Sequence, residues 1–291
     1  METNRLIHED FELTTPSGVP LRGTARWDRT AEAGSCPVVI ICHGFKAFKD
    51  WGPFPHIGTW FAVRGFASIV FNFSHNGIGA DPRRFTEHDL FEKNTISLEI
   101  EDVRTILDAL EARRLPGAAY DRNRVGLVGH SRGGGIALVT AREDARVHAV
   151  ALWSSVSTFN RYTPEQIARW REKGSLQLHS ISATKTFRMG IDLLRDAEQN
   201  RERFDLINAA AHLDKPLLIV HGSEDVPVKI QEAERLYDAS DKSRTQFVRL
   251  EGVGHMYGAK HPYRHESPTL THILDVTGAW FHSVLHAPSI I

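Results

Sequence analysis

The 291-residue sequence predicts an α/β fold built as one large domain. Three observations carry that expectation. Short apolar runs such as Val38-Val39-Ile40-Ile41-Cys42 and Leu217-Leu218-Ile219-Val220 read as buried strands. They alternate with segments of helical periodicity, and the alternation never breaks for a linker. Several of the runs end in glycine-containing loops that carry a serine, an acid or a histidine.

Along the chain, residues 11–15 and 21–27 flank Pro16-Ser17-Gly18-Val19-Pro20 and predict an opening antiparallel hairpin. The 38–42 run continues into His43-Gly44-Phe45. Residues 67–73 predict a further strand leading into the loop 74–80. Ile96, Ile100, Val103, Ile106, Leu107 and Leu110 recur at three and four and mark one apolar helix face. Residues 124–128 predict a strand, 134–141 a helix and 147–153 the next strand. After the 217–220 run come a strand over 246–250 and a last helix over 268–286.

Composition sets bounds on function. A hydrophobic content of 41%, a charged content of 24% and a net charge of −1 give no electrostatic reason to expect nucleic acid or an anionic membrane as partner. The first ten residues lack an apolar signal core, and no apolar run approaches the roughly 18 residues of a membrane span. A cytoplasmic protein without a membrane partner is expected. Cys36 and Cys42 lie at the two ends of one predicted strand, so a bridge between them would fold that strand back on itself. Free buried thiols are expected. The 16 histidines form no His-Glu-x-x-His pattern, and His261 and His265 are flanked by prolines, so neither a metal site nor a cofactor is predicted.

The chemistry concentrates at Gly129-His130-Ser131-Arg132-Gly133, between a predicted strand and a predicted helix. A sharp strand-to-helix turn strains its central residue and lifts that side chain clear of the sheet, which is what a nucleophilic Ser131 needs. Gly129 and Gly133 must approach backbone too closely for a β-carbon. A serine nucleophile also needs two N–H donors at the developing oxyanion, expected from Arg132 and from Phe45, with Gly44 allowing the tight turn and His43 supporting it. His221-Gly222-Ser223-Glu224-Asp225 places an acid after the next strand, and Gly252-Val253-Gly254-His255 presents a histidine after the one following. Nucleophile, acid, base is one of the three known chain orders for this triad. Glu224 competes with Asp225 as the acid, and His261 and His265 compete with His255 as the base. The Arg132 side chain is expected in a surface salt bridge, with a substrate carboxylate or phenolate as the alternative partner.

With these motifs the chain resembles α/β-hydrolase-fold serine hydrolases, and among them the small bacterial esterases of the feruloyl- and cinnamoyl-esterase and dienelactone-hydrolase kind. The resemblance implies a mostly parallel, twisted central sheet with helices on both faces, and it selects Asp225 as the acid. It also implies that the long stretch between the strand ending at Trp153 and the one opening at Leu217 is a helical cap, dividing the chain into a core of 1–153 and 214–291 and a cap of 154–213. Within the cap, Thr163-Pro164-Glu165-Gln166 is a helix-start signal, and 187–198 and 201–211 look helical. Phe159, Tyr162, Trp170, Leu176, Leu178, Phe187 and Met189 are candidates to line a substrate pocket. The implied activity is hydrolysis of small-molecule carboxylic esters through an acyl-enzyme, in a monomer or a homodimer. The same machinery would serve an acyl aminopeptidase, a thioesterase or an acyltransferase. A non-catalytic binding module would be expected to lack one member of Ser131, Asp225 and His255.

Overall fold

The computed structural model describes residues 5–82, 84–117, 119–179 and 186–285. Eight strands form one sheet: β1 (Leu6–Thr14), β2 (Pro20–Asp28), β3 (Cys36–Cys42), β4 (Ala67–Phe71), β5 (Tyr120–His130), β6 (Ala149–Trp153), β9 (Leu217–Gly222) and β10 (Thr245–Leu250). Their order is β1-β2-β4-β3-β5-β6-β9-β10. Only β2 runs against its neighbours, and every pair from β4 through β10 is parallel.

The continuous apolar runs are explained by burial on both faces. In β3, Val38 and Ile40 point into one core and Val39 and Ile41 into the other. β9 divides in the same way, with Leu217 and Ile219 opposite Leu218 and Val220. Each such fully buried aliphatic side chain stabilises the fold by about 1.5–3 kcal/mol relative to exposure. Helices α3 (Ile96–Glu111), α4 (Arg132–Glu143) and α8 (Ile230–Ala239) cover the first face. Helices α1 (Phe54–Ala62) and α9 (Pro268–Leu285) cover the second. Between β4 and α3 lies the short helix α2 (His88–Glu92). The α3 start is set by Thr95, whose hydroxyl accepts the Leu98 N–H at 3.2 Å.

Between β6 and β9 the chain forms α5 (Pro164–Lys173), β7 (Ser175–His179), β8 (Thr186–Gly190), α6 (Ile191–Gln199) and α7 (Leu206–Ala211). Thr163 and Gln166 make the reciprocal capping box at the start of α5. Two segments depart from the expected helices. The stretch beginning at Phe187 opens as a strand paired antiparallel with β7, because Phe187 and Met189 alternate with Arg188 at the period of a strand. The second helix starts at Leu206 rather than 201, since Asp205 is its cap and accepts the Asn208 N–H at 2.9 Å. Cys36 and Cys42 are buried free thiols. Among the described residues no helix is long and apolar enough to cross a membrane.

Candidate active site

The sheet order brings the carboxyl ends of β3, β5, β9 and β10 to one edge. Cys42 is the register partner of Gly129, so the loop after β3 lies beside the turn after β5. Gly222 is the partner of Leu250, which places the loops carrying Asp225 and His255 together. Such a carboxyl edge is where parallel sheets present their chemistry.

Ser131 joins β5 to α4 with φ 57° and ψ −120°, a conformation that costs a side-chain-bearing residue free energy. Its N–H is spent on the Trp153 carbonyl at 2.9 Å. The flanking glycines are required by contact. A β-carbon on Gly129 would lie 2.4 Å from the Gly133 carbonyl oxygen, and one on Gly133 would lie 2.4 Å from the oxygens of both Cys42 and His43. All of these neighbours are main chain and cannot swing aside.

His255 Nδ1 lies 2.8 Å from Asp225 Oδ2. A carboxylate accepts, so Nδ1 carries the proton and Nε2 is left as the basic nitrogen. Burial alone would raise the Asp225 carboxyl, but the hydrogen bond and charge of His255 and the Val228 N–H at 2.8 Å from Oδ1 hold it below the ordinary range. His221 is fully enclosed behind this pair, donating from Nε2 to the Val228 carbonyl at 2.7 Å, and burial lowers its basicity. Glu224, His261 and His265 stand apart from this arrangement. Glu224 is exposed where Asp225 is buried, His265 is exposed as well, and His261 Nδ1 accepts the Gly52 N–H at 2.9 Å while its ring stacks on Trp51.

His43 orients the loop after β3. Its Nδ1 donates to the Gly44 carbonyl at 2.9 Å, and the Ala47 N–H donates to the same oxygen at 3.1 Å. Because a trans peptide sets its C=O and N–H in opposite directions, fixing the Gly44 oxygen fixes the aim of the Phe45 N–H on the other side. Burial pushes the His43 imidazole down to about 4, so it is neutral at pH 7. Its Nε2 meets the Phe73 N–H and Asn76 Nδ2, each at 3.4 Å.

Ser131, His255, Phe45 and Arg132 line one cavity of about 900 Å³. Phe159, Tyr162 and Trp170 line it too, whereas Leu176, Leu178, Phe187 and Met189 do not. Phe187 faces Phe85 and Phe91 with ring centroids at 5.0 and 5.4 Å, and Met189 receives the Tyr162 hydroxyl at 3.6 Å. The strand geometry that replaced the expected helix turns both side chains toward α2 and the core. Ile96, Val156, Leu193, Leu194, Phe204 and Val228 add to its apolar wall.

The Arg132 side chain also departs from its expected surface salt bridge. Its Nε is 2.9 Å from Glu99 Oε2, and the two side chains are 11% and 6% exposed. Asn94 Nδ2 donates to the other Glu99 oxygen at 2.7 Å. The guanidinium lies 5.2 Å from the Phe45 ring centroid, linking the residue after Ser131 to the loop after β3. Glu99 was legible only as a charge on the apolar face of α3, three residues after Ile96. Replacing Glu99 with alanine is expected to destabilise the fold by about 3–5 kcal/mol, because the buried guanidinium loses its counter-ion. Urea unfolding of Glu99→Ala beside wild type measures this, and an unchanged midpoint would contradict it.

A model of the alpha/beta hydrolase family matches residues 39–264. The chain belongs to that family. Among curated sequences it is similar to an uncharacterized peptidase, YuxL, of Bacillus subtilis, 24% identical over 86% of this chain. It spans only 35% of the length of that relative. An uncharacterized 31.7 kDa protein of Escherichia coli is 23% identical over 70% of this chain and 77% of its own length. Solved members of the fold superpose on almost the whole chain. Est1E of Butyrivibrio proteoclasticus gives a TM-score of 0.71 at 17% identity, covering 95% of this chain and 99% of its own. Dienelactone hydrolase of Anabaena variabilis gives 0.61 at 18% identity, covering 97% and 99%. At these identities the structural likeness speaks for the fold.

Proposed function

We propose that the chain is a serine hydrolase cleaving carboxylic esters of small to medium acyl or aryl acids through an acyl-enzyme. The observation that carries the reading is a strained Ser131 sharing one cavity with the hydrogen-bonded His255–Asp225 pair. Ser131 Oγ attacks the acyl carbonyl while His255 Nε2 takes its proton. Asp225 holds the ring in the required tautomer and stabilises the imidazolium. The Arg132 N–H, at the start of α4, and the Phe45 N–H receive the oxyanion, each contributing about 3–4 kcal/mol to the transition state. His255 returns the proton to the leaving alcohol, then activates a water that releases the acid. No cofactor is called for.

Residues 154–213 serve as the cap, and Phe159, Tyr162 and Trp170 select the acyl or aryl group from it. The cavity volume lies within the range that encloses a small-molecule ligand. Aryl acids are included because Est1E was solved with ferulic acid bound. A cytoplasmic enzyme, as monomer or homodimer, acting on a diffusible ester is the accompanying expectation.

The test is hydrolysis of p-nitrophenyl esters from acetate to decanoate, methyl ferulate and a matched acyl p-nitroanilide. Turnover of the esters at rates well above the anilide supports the reading. Cleavage of the anilide alone would transfer the machinery to amide substrates, the chemistry suggested by the name of the Bacillus relative.

A further inference from the structure

His130, the residue between Gly129 and the proposed nucleophile, makes a contact that the triad mechanism leaves unused. Its Nε2 lies 3.1 Å from the main-chain oxygen of His255, 125 residues away in the chain. A carbonyl only accepts, so Nε2 carries the ring proton and Nδ1 is bare. Nδ1 has no partner among the described residues, and a β-carbon on Gly44 would lie 3.3 Å from it. The His130 and His255 ring centroids are 4.7 Å apart. One buried ring therefore touches the loop after β3, the nucleophile turn and the loop that presents the base.

The sheet alone does not register nucleophile against base. Ser131 follows β5 and His255 follows β10, and β6 and β9 stand between those strands. Two further hydrogen bonds of the His255 loop, Gly252 N–H to Ser223 Oγ at 2.9 Å and Glu224 N–H to the Val253 carbonyl at 3.0 Å, tie it to the acid loop, and the Tyr257 hydroxyl ties it to β9 through the Val220 carbonyl at 3.3 Å. The His130 bond ties the base's own peptide to the residue adjoining Ser131.

We propose that His130 is a positioning residue, whose neutral Nε2–H registers the His255 main chain against Ser131 across two intervening strands. This inference rests on the Ser131–His255–Asp225 reading above. The ring must also stay neutral, since a second positive charge beside the His255 imidazolium would oppose its formation. Burial first, and then the neighbouring His255, push His130 down to about 3, while the His255 carbonyl and the Asp225 charge act the other way and His221 adds to the lowering.

The experiment compares His130→Phe, which keeps a ring but loses the donor, with His130→Gln, which places an N–H donor at similar reach. A displacement of about 1 Å between reacting groups can cost about 100-fold. The expected result is a kcat for His130→Phe about 10- to 100-fold below wild type with KM changed less than about twofold, and recovery of most of the loss in His130→Gln. Wild-type kcat in the Phe variant, or a Gln variant no better than Phe, overturns the proposal. Nitrogen-15 NMR of wild-type protein labelled at histidine is the readout independent of turnover and of variant folding. His130 is expected as the Nε2–H tautomer, neutral from pH 5 to 9, and an Nδ1–H tautomer or a titration in that range overturns the proposal. Wild-type protein that hydrolyses no ester would sink the proposed function, while the NMR measurement still decides the His130 contact.

Discussion

Replacing Ser131 with alanine is expected to lower kcat on any hydrolysed ester by about four to six orders of magnitude, with folding stability almost unchanged. The two halves of this expectation have separate causes. The hydroxyl is the proposed attacking atom, and His255 cannot substitute for it. Stability is a matter of backbone: serine and alanine both carry a β-carbon, so both bear the strain of φ 57° equally. Glycine escapes that strain. Ser131→Gly should therefore match alanine in activity but exceed wild type in stability by about 1–2 kcal/mol. Steady-state kinetics with active-site-directed fluorophosphonate labelling, alongside thermal unfolding of the three proteins, reads both effects. Residual kcat above about one per cent of wild type in either variant would remove Ser131 from the nucleophile role.

That the turn could be read from the sequence follows from how local its constraints are. Gly129 and Gly133 answer to main-chain atoms at 2.4 Å, and no other residue type satisfies such contacts. The pattern therefore survives in the sequence with its meaning attached. Asp225 and His255 were legible for a related reason, since each follows a parallel strand directly and parallel register carries them to the same edge. The network behind the site left no such trace. Glu99, Asn76, Asp102 and His221 acquire partners only through the fold. Asp102 accepts both the N–H and the hydroxyl of Ser74, at 2.8 and 3.0 Å, and stands on α3 as one more charge in an amphipathic helix. The hairpin of β7 and β8 was hidden because its strands are five residues each, too short for period two to prevail over the helical pattern that follows. Helix α1 went unseen because most of its length is apolar and faces the core, which erases the polar stripe that marks an exposed helix.

Acid lability is the second large effect, and its sign follows from the histidines that position the site. His43 and His130 have folded-state values pushed down to about 4 and about 3 by burial, whereas an unfolded histidine titrates near about 6.5. A group whose folded value is depressed contributes stability that is fully present above its unfolded value. As pH falls through the window between the two values, the unfolded chain takes up protons that the native chain refuses, so the native state loses ground by about 1.4 kcal/mol per pH unit for each group. Asp225, also depressed, adds loss only below the ordinary carboxylate range. Asp102 acts oppositely. Its burial raises the carboxyl well above its usual value, so its contribution grows as pH falls and opposes the loss from the histidines. The way to isolate the effect is by difference. Urea unfolding at half-unit steps from pH 4 to 6 should give wild-type protein a stability slope steeper than that of His130→Gln by about 1.4 kcal/mol per pH unit. Parallel curves would mean that His130 titrates alike in both states, which a ring enclosed against His255 and Phe54 cannot do. The same enclosure that keeps this imidazole neutral beside the proposed base is what makes the fold vulnerable below pH 6.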